Sequence, residues 1–210
     1  MHLVLLGDSI FDNAGYVAQG EPDVCAQLQA HLKSGDRALR LAADGNTIED
    51  VASQVKRLPV DATHLIVSIG GNNLLMQLGV LDEPATSVYE VMDRLAQIAS
   101  SFTETYEDML TVLLAHGLPT VVCTIYNPRF PTPELQSAVS TALRVFDDCI
   151  IGCALEAGIP VIELRAVCNE VNDYANPIEP SAQGGEKIAQ AILRVIEQYD
   201  FSTKRTQIFT

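Results

Sequence analysis

The chain has 210 residues, of which 48% are hydrophobic and 19% are charged. This composition excludes an intrinsically disordered chain, because such chains lack the apolar residues needed for collapse. The formal net charge of −14 excludes nucleic acid and anionic membrane surfaces as good partners, since both repel an acidic protein.

Short apolar runs alternate with longer segments of helical periodicity. In chain order, the pattern predicts strand 3–6, helix 23–32, strand 38–43, helix 48–58, strand 65–69, helix 87–116, strand 120–125, helix 133–156, strand 160–164 and helix 183–199. Segment 73–86 has no clear period and is interpreted as a local insertion, and the polar tail 202–210 as frayed. The alternation predicts one α/β domain over residues 1–210, a three-layer α/β/α sandwich with a five-stranded parallel sheet.

The N-terminus and the cysteines bear on location. The first residues lack a basic region and a small-residue cleavage site, and no apolar run reaches the ~18 residues of a membrane span. The five cysteines are odd in number and form no CxxC motif, so we expect free structural thiols in a reducing compartment. We therefore expect a cytoplasmic protein without a metal site.

Polar, glycine-bearing loops follow the predicted strands, where open parallel sheets bind their ligands. Ser9 follows the first strand and is a candidate nucleophile for acyl transfer, or simply a capping serine. Gly45 and Asn72 follow the second and third strands and are candidate hydrogen-bond donors to an oxyanion. Gly45 also fits an ordinary turn glycine, so the prediction of an active site depends on the three loops together.

At these loops the sequence resembles the SGNH hydrolases, also called GDSL lipases/esterases. Ser9 matches the family serine within Gly-Asp-Ser, Gly45 the family glycine, and Asn72 the family asparagine within Gly-x-Asn-Asp, where Asn73 replaces the usual Asp. The resemblance covers nearly the whole chain. It implies a flavodoxin-like fold and an oxyanion hole formed by the Ser9 N–H, the Gly45 N–H and Asn72. It also implies that Asp8 is a hydrogen-bond acceptor that orients loops.

The fourth family block, Asp-x-x-His-Pro, departs from the pattern. When the blocks are aligned on Pro180, Glu179 occupies the family His position and Asn176 the family Asp position. The chain has four histidines. Two begin strands at the opposite end of the sheet and two close helices, so none is expected to replace the missing base: His2, His64, His31 and His116.

Three outcomes remain open for this site. Glu179 acts as the general base, at a loss of roughly 3 kcal/mol of proton-transfer driving force that burial would partly recover, with Asp173 and Asn176 holding or tuning it. Alternatively, Ser9 reacts slowly without a base, assisted by the oxyanion hole alone. In the third outcome the site has lost its chemistry and the domain is a ligand-binding module.

The expectation is an SGNH-type serine hydrolase that acts on small carboxylic esters, with no metal or organic cofactor implied. Arg129, after the fourth strand, either binds an anionic substrate group or is an ordinary surface arginine. The partner is a small-molecule ester. The helices 87–116 and 133–156 are long enough to form a homodimer interface, although a monomer fits equally well.

Overall fold

A computed structural model describes residues 1–210 and contains a single parallel sheet. Its six strands are β1 (His2–Gly7), β2 (Arg37–Arg40), β3 (His64–Ser68), β4 (Thr120–Cys123), β5 (Val161–Ile162) and β6 (Ile208–Phe209). The strand order is β2-β1-β3-β4-β5-β6, and every pairing is parallel. The first five strands follow the flavodoxin-like order, which confirms the predicted fold class. The predicted count of five strands was one too low.

Helices cover both faces of the sheet. They are α1 (Val24–His31), α2 (Val51–Val55), α3 (Gly71–Leu75), α4 (Val88–Leu114), α5 (Pro133–Ala157), α6 (Leu164–Val167) and α7 (Ala182–Gln198). Helices α2, α4 and α5 pack on one face, while α1, α6 and α7 pack on the other. None of these helices combines the length and the apolar character needed to cross a bilayer.

The strands are apolar on both faces because each face has its own core. Val4 and Leu6 of β1 point into the core beneath α4 and α5, whereas Leu3 and Leu5 point into the core beneath α1 and α7. Successive residues of a strand point to opposite faces, so a strand buried on both sides reads as one continuous apolar run. This is the pattern that made the strands visible in the sequence.

The C-terminal tail is not frayed, contrary to the prediction. Phe209 is buried in the core beneath α7, and β6 pairs with β5 through the Glu163 N–H, which donates to the Phe209 carbonyl at 2.8 Å. The Tyr199 hydroxyl donates to the Arg205 carbonyl at 2.7 Å and holds the turn that leads into β6. A polar segment with one apolar pair, Ile208 and Phe209, therefore closes the edge of the sheet.

Two other predicted segments differ from the structure. The helix predicted over 48–58 is a 3-10 turn, Ile48–Asp50, followed by the short α2; Pro59 disfavours helical backbone at the preceding residue. The predicted insertion 73–86 begins within α3 and contains a second 3-10 turn, Leu78–Asp82. This segment forms one wall of a large cavity, described below.

Candidate active site

Ser9 lies in the turn that follows β1, at the carboxyl edge of the sheet. Gly7, at the end of β1, has φ +130°, and a Cβ built there would lie 1.8 Å from the Ser68 carbonyl oxygen of β3. Only glycine permits this close approach. The Asp8 N–H donates to the same carbonyl at 3.2 Å, which fixes the turn and places Ser9 on the rim.

The Ser9 hydroxyl meets a single titratable side chain. Its Oγ donates to Glu179 Oε1 at 3.0 Å, and both residues are buried, with Glu179 only 5% exposed. Glu179 Oε2 has no hydrogen-bond partner. Burial raises the pKa of Glu179 to about 7, since the ionised carboxylate is poorly solvated there, and the Ser9 hydrogen bond offsets only part of this effect.

The turn that carries Glu179 is held through its backbone. Asn176 Oδ1 accepts hydrogen bonds from the N–H groups of Ile178 at 2.9 Å and Glu179 at 3.0 Å. Asn13, which is fully buried, donates from Nδ2 to the Pro180 carbonyl at 3.2 Å. Asn176 therefore positions the Glu179 backbone and forms no hydrogen bond with its carboxylate.

The Asp173 carboxylate, expected to hold or tune Glu179, forms its hydrogen bonds with other partners. Its buried carboxylate binds the Lys187 ammonium at 2.8 Å and accepts hydrogen bonds from Gln183 Nε2 and from the Glu170 N–H. Burial alone would raise the pKa of Asp173, but the hydrogen bond from Lys187 and the neighbouring donors outweigh it and lower the pKa. Asp173 therefore stabilises the start of α7.

The residues expected to form an oxyanion hole lie on adjacent loops. Neither the Ser9 N–H nor the Gly45 N–H donates a hydrogen bond within the protein, and of the two residues only Ser9 lines the cavity described below. Asn72, in α3, donates one hydrogen of Nδ2 to the Asn46 carbonyl at 2.8 Å and keeps the other available. Asn73, the departure from the family motif, instead accepts the Ile48 N–H at 3.0 Å and ties the two loops together.

Gln54 joins the Ser9 and Gly45 loops, and the sequence analysis missed it. Its buried amide accepts the Gly7 N–H at 2.8 Å and donates to the Gly7 carbonyl and to Asn46 Oδ1, both at 2.7 Å. The available signal was a polar amide beside Val51 and Val55 on the apolar face of a helix. A buried amide is retained where every polar atom finds a partner.

Asp8 and the histidines complete the list of candidate residues. Asp8 is 3% exposed and accepts the Ile10 N–H at 3.1 Å, and burial raises the pKa of Asp8 to about 7. None of the four histidines lines the cavity that contains Ser9. His2 binds Asp61 at the opposite edge of the sheet, and His31 binds Glu186 on α7.

Ser9 opens onto a large cavity, about 890 Å³ in volume. Asp8, Asn72 and Glu179 line its polar end, whereas 21 of its 35 lining residues are hydrophobic. The apolar wall comes from α4, α5 and the 71–83 segment. The site therefore places a hydroxyl, a carboxylate and an amide at one end of a large apolar chamber.

Comparisons with known proteins agree with this architecture. The extracellular lipase from Streptomyces rimosus superposes with a TM-score of 0.65 at 16% sequence identity, over 95% of this chain and 100% of that one. Phospholipase A1 from Streptomyces albidoflavus NA297 superposes with a TM-score of 0.64 at 15% sequence identity, over 95% of this chain and 99% of that one. The acetylxylan esterase Axe2 from Geobacillus stearothermophilus superposes with a TM-score of 0.57 at 20% sequence identity, over 95% of each chain. At these identities, the similarities define the fold.

The fold and the polar rim define a three-layer α/β protein with a candidate ligand site at the carboxyl ends of its strands. Residues 5–187 match the model of the GDSL-like lipase/acylhydrolase family, so the chain belongs to this family of hydrolases. No curated protein matches the sequence significantly.

Proposed function

We propose that the protein is a carboxylic ester hydrolase in which Ser9 is the nucleophile and Glu179 the general base. The observation that carries the proposal is the 3.0 Å hydrogen bond from Ser9 Oγ to a buried carboxylate whose pKa is raised to about 7. A base is most effective when its pKa lies near the working pH. Burial thus gives Glu179 the proton affinity that an exposed glutamate lacks.

The proposed reaction proceeds through an acyl-serine. Ser9 Oγ attacks the ester carbonyl carbon while its proton passes to Glu179 Oε1. The Ser9 N–H, the Gly45 N–H and Asn72 Nδ2 donate hydrogen bonds to the resulting oxyanion. The intermediate collapses, and Glu179 delivers the proton to the departing alcohol oxygen. Water then attacks the acyl-serine, Glu179 accepts its proton, and Ser9 recovers the proton as the carboxylic acid leaves.

The cavity favours acyl chains longer than acetyl, which extends the small ester expected from the sequence. Its wall beyond Ser9 is formed by side chains such as Leu95, Ile98 and Val139. Burial of each methylene contributes about 0.8 kcal/mol, so kcat/KM should rise up to about fourfold per added methylene.

The test of Ser9 is labelling with a fluorophosphonate, measured by intact mass. We expect one adduct on the wild type, none on Ser9→Ala and slower labelling of Glu179→Gln. Ser137→Ala is the matched control, because Ser137 lines the same cavity and has no carboxylate partner; this variant should label like the wild type. Absence of an adduct on the wild type would favour the ligand-binding module instead.

The test of the acyl site is hydrolysis of 4-nitrophenyl esters of increasing chain length. Ala138→Phe narrows the cavity from the exposed side of α5. This variant should lose activity on long esters and retain it on the acetate. Equal effects on long and short esters would contradict the assignment of the cavity to the acyl chain.

A further inference from the structure

A second, polar cleft lies beside the candidate active site. This arginine cleft has a volume of about 310 Å³, and its wall contains Arg129, Arg144 and Arg165 but no aspartate or glutamate. The whole chain has 27 acidic and 13 basic residues. A wall with three guanidinium groups and no carboxylate is therefore a concentration of positive charge in an acidic protein.

One of the three guanidinium groups, that of Arg165, is already paired with carboxylates of residues that do not line the cleft. Arg165 donates from Nε to Glu163 Oε1 at 2.7 Å and forms an ion pair with the buried Asp147 at 3.2 Å. These contacts fix the orientation of Arg165.

The other two guanidinium groups have no carboxylate partner. Arg129 donates to the Asn169 carbonyl at 2.7 Å, and its guanidinium lies 5.1 Å from the centre of the Tyr174 ring. Arg144, on α5, is exposed and forms neither a hydrogen bond nor an ion pair through its side chain. Two positive charges of the cleft are therefore available to an external anion.

The cleft is held open by hydrogen bonds within its wall. The Tyr174 hydroxyl lies 2.8 Å from the Asn127 carbonyl and 2.8 Å from the Cys168 carbonyl, and so bridges two loops. Gln136, on α5, donates to the Pro128 carbonyl at 2.8 Å. A site fixed in this way needs little reordering to bind a ligand.

We propose that the arginine cleft binds an anionic group, either a phosphate or a carboxylate. The planar guanidinium donates paired hydrogen bonds that match the geometry of both anions. The cleft adjoins the candidate active site: Pro128 lines both cavities, and the Arg129 N–H donates to the Pro177 carbonyl at 2.7 Å, close to Glu179. The anion is either free in solution or carried by the ester substrate, and only the second case depends on the proposed function.

Calorimetric titration with inorganic phosphate and with acetate tests the site without turnover. We expect one binding site for at least one of these anions in the wild type and in Ser9→Ala. Binding should weaken roughly tenfold or more in Arg144→Gln, because a charged hydrogen-bond donor is lost. Arg205→Gln is the matched control, since Arg205 is exposed, forms no ion pair and lies outside the cleft.

Two results would overturn the proposal. One is the absence of saturable binding of both anions to the wild type. The other is binding that Arg144→Gln leaves unchanged, or that Arg205→Gln weakens equally, since the anion would then be held by general surface charge.

A second arm distinguishes the two sources of the anion. Two esters with the same acyl chain are compared, one with a phosphate on the alcohol part and one with a neutral hydroxyl there. If the substrate carries the anion, Arg144→Gln raises KM for the phosphate ester roughly tenfold and leaves KM for the neutral ester unchanged. If the anion is free, calorimetry detects its binding and Arg144→Gln affects both esters equally.

Discussion

Asp173 and Glu179 belong to the same loop before α7, and both side chains are buried, yet their surroundings differ. Asp173 lies against the Lys187 ammonium, whereas Glu179 has only the Ser9 hydroxyl as a partner. The pKa of Asp173 is lowered and that of Glu179 is raised to about 7. The comparison shows that a nearby cation keeps one buried carboxylate ionised at neutral pH, while the absence of a cation leaves the other able to exchange a proton there.

The largest expected effect is on the rate after removal of the base. Glu179→Gln keeps the shape of the side chain but cannot accept a proton, so kcat should fall about 10²–10⁴-fold. Glu170→Gln is the control at the Asp173 end of the loop, because Glu170 forms an exposed ion pair with Lys187 at 3.3 Å. Its kcat should stay close to that of the wild type in a steady-state ester assay. Equal losses of kcat in Glu179→Gln and Glu170→Gln would contradict a specific role of Glu179 in this loop.

The next effect is on stability, at the Asp173 end. Lys187→Met leaves the Asp173 carboxylate without its cation and should lower the free energy of unfolding by about 3 kcal/mol in urea denaturation near neutral pH. The folded-state pKa of Asp173 is lowered, so its contribution is present above the unfolded-state pKa of about 4 and is lost as the pH falls further. The deficit should therefore shrink in acid, and Lys187→Arg should be milder. A deficit that persists unchanged in acid would contradict the ion pair as its cause.

A smaller stability effect of opposite sign is expected at Glu179. Its folded-state pKa is raised, so the contribution of Glu179 to stability is fully present below its unfolded-state pKa of about 4 and is lost as the pH rises through about 7. Glu179→Gln removes this titration and should be more stable than the wild type by about 1–3 kcal/mol at about pH 8, with a much smaller difference at about pH 4. Urea unfolding of both proteins at the two pH values measures the difference. A variant that is less stable at the higher pH would show that Glu179 is not a strained anion.

The central strands of the sheet could be predicted from the sequence, whereas the edge strand β6 could not. Continuous apolar runs marked β1, β3 and β4 because they are buried on both faces. β6 escaped notice because an edge strand of two residues in a polar tail has no period to detect, and its position depends on Tyr199 and on pairing with β5. Local pattern carries no information about such distant contacts.

The candidate site was likewise predictable by position more than by interaction. The loops of Ser9, Gly45, Asn72 and Glu179 follow from where parallel strands end. The ion pair between Asp173 and Lys187 could not be predicted in this way, because Lys187 lies on the next helix and only the packing of α7 brings it close to Asp173. Gln54 was missed for a similar reason: its partners, Gly7 and Asn46, are distant in sequence.

The pH dependence of kcat/KM, measured for the wild type and Glu179→Gln on one ester, tests the role of Glu179 most directly. Because the base must be ionised, activity of the wild type should rise with pH through an ionisation at about 7, the pKa that burial gives Glu179. The residual activity of Glu179→Gln should lose this pH dependence, whereas Asp8→Asn, which removes the other carboxyl group with a pKa of about 7, should keep it. If Glu179→Gln retains both the activity and the ionisation, another group is the base and the account of this site is wrong.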